Sequence, residues 1–121
     1  MVSRKGNMQE IKFRVFDTNF KKMLPLHEAK FIDGRMIGAK GINWDSKVIV
    51  MQFTGLKDKN GVEIYEGDLL ENNGNKPAEV RFKNGCYWAG NYNTELWTFA
   101  GGNKEVIGNI YENPELVGRT E

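Results

Sequence analysis

Met51-Gln52-Phe53-Thr54-Gly55-Leu56-Lys57-Asp58-Lys59-Asn60-Gly61-Val62-Glu63-Ile64-Tyr65-Glu66-Gly67-Asp68 joins two apolar, strand-like segments through a loop of turn-forming residues. Its upstream part belongs to Lys47 to Thr54, which is rich in β-branched and aromatic residues and has no 3.6-residue stripe. That pattern predicts a central strand buried on both faces over part of its length. Asn60-Gly61 then turns the chain, Val62 to Tyr65 reads as extended, Glu66-Gly67 permits a bulge or sharp bend, and Asp68 to Glu71 opens another strand.

The same reading extends outward. Ile11 to Phe16 alternates, with Ile11, Phe13 and Val15 on one face and Lys12 and Arg14 on a polar one. Asp17-Thr18-Asn19 is turn-like, and Asp33-Gly34 sits between two short apolar segments, the signature of a tight hairpin. Asn73-Gly74 turns again, and Ala78 to Lys83 returns through Asn84-Gly85 into Cys86-Tyr87-Trp88 as a two-residue hairpin. Glu95 to Phe99 and Glu105 to Tyr111 read as the last strands, the latter anchored by Val106 and Ile110 and stopped at Asn113-Pro114. Short helices fit only Thr18 to Leu24 and Asn113 to Val117. The expected fold is mainly β, a meander of antiparallel sheets with at most short helices.

Composition narrows the class. The 121 residues suit one domain with a modest core, and 40% hydrophobic with 27% charged residues reads as soluble and globular. No apolar run approaches the roughly 20 residues of a membrane helix. Residues 1–10 read as a disordered leader without a secretory apolar stretch, and residues 11–121 as a single domain, divisible into sub-cores over about 11–50 and 51–121. A cytoplasmic location follows. The net charge of +1 conceals an asymmetry: ten Lys or Arg against five Asp or Glu in residues 1–50, seven against eleven in residues 51–121. Such halves are solvated faces or steer one subunit onto another, and they lack the cationic excess of a strong nucleic-acid binder.

Two stretches, residues 51–70 and Glu105-Val106-Ile107-Gly108-Asn109-Ile110-Tyr111-Glu112-Asn113-Pro114-Glu115-Leu116, together with the opening strand over residues 11–17, resemble the YopX family of small phage and prophage proteins. The resemblance implies a predominantly β protein with a small SH3-like barrel element, encoded by a phage or prophage and working inside the bacterial host. It carries no catalytic residue across. Residues 18–46 and 72–104 fall outside the resemblance, and such segments between fixed scaffolding are where binding specificity commonly sits. Gly55, Asn60, Gly61, Tyr65, Gly67, Asp68, Gly108, Asn109, Tyr111 and Pro114 read as structural residues of the motifs, the glycines serving special backbone conformations and the tyrosines packing their rings.

Candidate chemistry is sparse. Asp58, Glu63, Glu66 and Asp68 are four carboxylates within eleven residues, but Lys57 and Lys59 interleave and Lys59 breaks the calcium-loop pattern, so they read as a solvated loop. Cys86 and His27, 59 positions apart, are too few for a four-ligand zinc site and carry no sign of a nucleophile pair. There is no phosphate loop, dinucleotide fingerprint or nucleophile elbow, and neither an enzyme nor a bound cofactor is expected. The remaining constellation is Arg81, Lys83, Tyr87, Trp88, Tyr92 and Trp97, aromatic and basic residues that suit core packing, a protein interface or a single-stranded nucleic acid held by stacking and phosphate contact. The expected function is a non-enzymatic protein-binding or self-assembly module, a homo-oligomer or a partner of host or phage protein. The alternative is a small single-stranded nucleic-acid-binding protein.

Overall fold

A computed structural model describes residues 11–32, 35–40, 47–90, 94–96, 99 and 104–118. Eleven strands run through the described residues: β1 Phe13–Asp17, β2 Lys22–Pro25, β3 His27–Ile32, β4 Arg35–Lys40, β5 Val48–Lys57, β6 Glu63–Tyr65, β7 Asp68–Asn72, β8 Asn75–Lys83, β9 Cys86–Ala89, β10 Thr94–Glu95 and β11 Val106–Asn109. A 3-10 turn, Pro114–Val117, closes the described chain. All pairings are antiparallel: one sheet has the order β2-β1-β5-β6, a second, curled into a half-barrel, β10-β9-β8-β7-β11, and β3 and β4 form a hairpin of their own.

Local chemistry explains the turns. Asn84 (φ 53°) and Gly85 (φ 79°) both occupy the left-handed region, the requirement of the two-residue turn between β8 and β9, and Asn73 with Gly74 repeats it between β7 and β8. The pairing of Ile32 with Arg35 agrees with a two-residue turn at Asp33-Gly34, which lie outside the described residues. Thr18 to Leu24 is not helical: Asp17 caps a tight turn and β2 returns alongside β1, Asp17 opposite Lys22 and Phe16 opposite Met23. Sheet pairing wins there because a seven-residue helix cannot offset its own nucleation cost. Strand structure after Thr94 covers Glu95 only, short of the expected Phe99, and Trp97 lies outside the described residues.

The half-barrel encloses Ile64, Leu70, Ala78, Val80, Ala89 and Leu96, all buried, with Leu56, Tyr87, Phe99 and Val106 packed around them. In the first sheet Val15, Phe16, Met51 and Phe53 are buried. Phe16 stacks on Tyr111 with ring centroids 5.4 Å apart, joining the first sheet to the segment after β11. Lys12 and Arg14 do not face open solvent as their alternation suggested. The Arg14 guanidinium lies over the Tyr65 ring (4.6 Å) and the Lys12 ammonium over Phe53 (5.4 Å), so each cation meets both a ring face and a carboxylate. Among the described residues no helix is long and apolar enough to cross a membrane.

Candidate functional site

The turn Tyr65-Glu66-Gly67-Asp68 is the junction at which the chain leaves the first sheet and enters the second. Gly67 has φ +85° and close neighbours: a Cβ there would lie 3.3 Å from Tyr111 Cε2 and 3.4 Å from Met51 Sδ. Its N–H donates to the Val80 carbonyl and its own carbonyl accepts from Ile110 N–H, so one residue touches β5, β8 and the segment after β11. Asp68 is buried beneath it. One carboxylate oxygen takes the Tyr65 N–H (2.7 Å) and the other the Arg14 guanidinium (2.7 Å). Burial pushes the Asp68 carboxyl above the usual range, opposed by the Arg14 charge and the Tyr65 donor. Beside it Lys12 pairs with Glu63, which is held below its ordinary value chiefly by that bond and also accepts the Tyr65 hydroxyl at 3.3 Å.

Two further buried side chains lock the ends of this frame. Asp58 Oδ1 accepts the N–H groups of Asn60 (2.8 Å) and Val62 (2.9 Å), and its Oδ2 accepts that of Val106 (2.9 Å), tying the loop between β5 and β6 to the start of β11. Burial raises its carboxyl, but the three donors and Lys59 outweigh that and leave it below the ordinary range. Asn109 accepts from Tyr111 and Glu112 through Oδ1, while its own N–H donates to Asn113 Oδ1. The reading of Asp58, Glu63, Glu66 and Asp68 as a solvated loop is therefore corrected: Asp58 and Asp68 are buried acceptors of backbone N–H groups, and Glu66 takes the Gln52 N–H at 2.8 Å. The donors Asn60, Val62 and Tyr65 lie within four residues of their carboxylates and fit turn capping, whereas the Val106 donor, 48 residues away, leaves no sign in local spacing. Among the described residues no group of three His, Cys, Asp or Glu is placed to hold a metal.

The sequence-derived surface set divides. The pairing of β8 with β9 puts Arg81 opposite Trp88 and Lys83 opposite Cys86 on one face, whereas Tyr87 lies opposite Phe82 on the other. On the first face Arg81 meets Glu79 (3.1 Å), the Trp88 indole N–H donates to the Lys83 carbonyl (3.0 Å), and Glu95 stands opposite Trp88. Cys86 Sγ is 3.9 Å from the Glu95 carboxylate, an anion that gives a thiol no activation. Tyr92 and Trp97 lie outside the described residues.

On the other face Phe82 is 49% exposed, edge-on to Tyr87 at 4.9 Å. It lines a groove of about 240 Å³ between the two sheets, together with Val50, 45% exposed, Gly67 and Tyr111, and with the charged residues Glu66, Glu79 and Arg81. The sequence reading passed over Phe82, near the end of β8, and Val50, within the apolar run of β5, neither of which stands out by residue type. A larger cleft of about 480 Å³ lies beside β8, with a mixed lining that includes Asn72, Lys76, Glu79, Thr94, Phe99 and Val117 but none of the strongly exposed apolar residues.

Residues 12–118 match the family described as YopX protein. The chain belongs to the YopX family. It is similar to protein EF1440 from Enterococcus faecalis, known from a crystal structure, with 31% identity and a TM-score of 0.71 over 91% of this chain and 99% of that one. No curated protein matches it. In this YopX-family chain the three stretches that carry the resemblance converge at one place: Arg14 from the first, Gly67 and Asp68 from the second, Asn109 and Tyr111 from the third. The family motif is thus the frame under the groove.

Proposed function

We propose that this chain is a non-enzymatic protein-binding or self-assembly module of phage or prophage origin, acting in the cytoplasm of a bacterial host through the groove between its sheets. The observation that carries the reading is that two strongly exposed apolar residues, Val50 and Phe82, line one concave surface together with Gly67 and Tyr111. Exposed apolar residues at a concavity on a rigid frame, rimmed by polar groups, are what protein interfaces use as anchors. Strand addition is a poorer route, because the edge strands are blunted: β2 ends in Pro25, β6 has three residues, β10 two, and β11 is bulged between Val106 and Gly108.

A non-enzymatic role is supported by the engagement of the carboxylates in backbone capping and ion pairs. The nucleic-acid reading is weaker, since Arg81 meets Glu79 and the Trp88 face carries Glu79 and Glu95, carboxylates that repel phosphate.

The test places a photo-crosslinking side chain at position 82 and, separately, at Val62, which is equally exposed at 48% but does not line the groove. Irradiation in bacterial lysate is expected to give protein adducts from position 82 only. No protein adduct from position 82, or a nuclease-sensitive adduct, overturns the reading.

A further inference from the structure

The turn between β1 and β2 is built more firmly than turning requires. Buried Asp17 accepts the N–H groups of Asn19 (2.9 Å) and Phe20 (3.1 Å), and the N–H and hydroxyl of Thr18 both donate to the Lys47 carbonyl. Two other hairpins of this chain solve the same problem with Asn-Gly. Here the corresponding stretch is Phe20-Lys21, and Lys21 is held at φ 57°, a conformation costly for a residue with a side chain. The result is a fixed tip with Phe20 60% exposed and three exposed lysines around it, Lys21, Lys22 and Lys47. The need to turn does not explain an aromatic residue held in water.

The tip also has a defined position relative to the groove. Phe16 pairs with Ile49 and Asp17 with Val48, so the groove wall formed by Ile49, Val50 and Met51 begins about one residue from the tip, within roughly 10 Å along the strand. An exposed aromatic among lysines therefore stands beside a concave groove that holds the exposed Val50 and Phe82 together with Glu66, Glu79 and Arg81. Arg81 pairs with Glu79, whereas one Glu66 oxygen takes the Gln52 N–H and the other has no hydrogen-bond partner among the described residues. Exposed Glu112 follows the groove residue Tyr111. A knob next to a complementary hole on one surface is the arrangement a two-fold axis satisfies twice.

We propose that the groove's partner is a second copy of this chain: in a two-fold dimer, Phe20 of each copy enters the other's groove between Val50 and Phe82, and the tip lysines meet Glu66 and Glu112. The proposal rests on the groove reading above and names its occupant. It assigns the tip's aromatic, its lysines and the groove carboxylate to one contact.

Light scattering on the sized, full-length protein over a range of concentrations tests it. The wild type is expected to dimerise, more weakly as salt is added. Phe20→Ser and Phe82→Ser are each expected to weaken the dimer by roughly a thousandfold, about thirtyfold for each of the two aromatic anchors lost, with unfolding temperatures within a few degrees of wild type. A mixture of the two variants pairs an intact Phe20 with an intact groove once per dimer, so it must associate more tightly than either variant alone. A monomeric wild type, a dimer indifferent to Phe20→Ser, or a mixture no tighter than its components overturns the proposal, as does a monomer that uses Phe20 to bind anionic vesicles or DNA. Adducts from position 82 separate the two readings: a foreign protein alone sinks the dimer and spares the groove, whereas no protein adduct sinks both.

Discussion

Replacing Asp58 with alanine removes three hydrogen bonds that join segments far apart in the chain. Asn60 and Val62 are exposed, so water takes over much of their bonding, and each loss costs about 0.5–1 kcal/mol. Val106 is half-buried and its N–H loses a charged acceptor at 2.9 Å, a loss of about 1–3 kcal/mol. The sum is about 3 kcal/mol, a large share of the 5–15 kcal/mol typical of a domain. At about 4 °C per kcal/mol for this chain length, the melting temperature falls by roughly 12 °C.

Asp58→Asn keeps one acceptor oxygen but turns an amide toward another donor, so it should fall between alanine and wild type. The pH dependence has a definite sign. The Asp58 carboxyl is lowered in the fold, so its contribution is complete above the ordinary carboxylate range and is lost as pH falls through the lowered value. Asp58→Asn therefore flattens the acid limb of stability against pH. Calorimetry supplies the melting temperatures, and amide exchange at Val62 and Val106 localises the effect. A loss under about 3 °C for Asp58→Ala, or unchanged exchange at Val106, refutes the reasoning.

Gly67→Ala should cost about 2–3 kcal/mol, combining the left-handed penalty with contacts at 3.3 and 3.4 Å to Tyr111 and Met51. Gly61→Ala, at φ +83° with nothing within 4 Å, isolates the conformational part at about 1–2 kcal/mol, and denaturant titration of the pair fails the argument if the two variants match. Arg14→Met strands the Asp68 carboxylate, whose partner is 14% exposed and which is itself 2% exposed, at a cost of about 3–5 kcal/mol near neutral pH. Because the Asp68 carboxyl is already raised by burial and loses its cation, stability of this variant should recover as pH falls through the raised value and decline as pH rises through it. An Arg14→Met protein that only loses stability on acidification contradicts that assignment.

What the sequence disclosed follows from the range of the forces involved. The Asn-Gly turns were legible because positive φ is a property of single residues, and the alternation of β8 was legible because its two faces differ locally. β2 was not: Phe20-Lys21-Lys22-Met23-Leu24 has helix-compatible residues, and only Asp17 capping the turn and β1 beside it make the segment a strand. Arg14 read as a surface residue for the same reason, since the buried Asp68 that claims it lies 54 residues away. Trp88 and Arg81 suited core packing or a binding surface by residue type alone, and their hydrogen bonds to Lys83 and Glu79 depend on the β8–β9 pairing, which residue type does not disclose.

The division between the resembling and the non-resembling stretches has a physical basis. Gly67, Asp58 and Asn109 each satisfy two or more backbone groups at once, and Asp68 joins the Tyr65 N–H to the Arg14 guanidinium; few other residues accept two or three N–H groups at those distances or tolerate φ +85° against a tyrosine ring. Phe20 and Phe82 carry no such obligation: both are about half exposed or more, and both fall in residues 18–46 and 72–104, outside the motif. A frame held by buried carboxylates leaves the adjoining apolar residues free to change without unfolding the chain. Substitution of Phe20 or Phe82 is therefore expected to change association while leaving the melting temperature within a few degrees of wild type, an outcome that light scattering and calorimetry on the same variants check together.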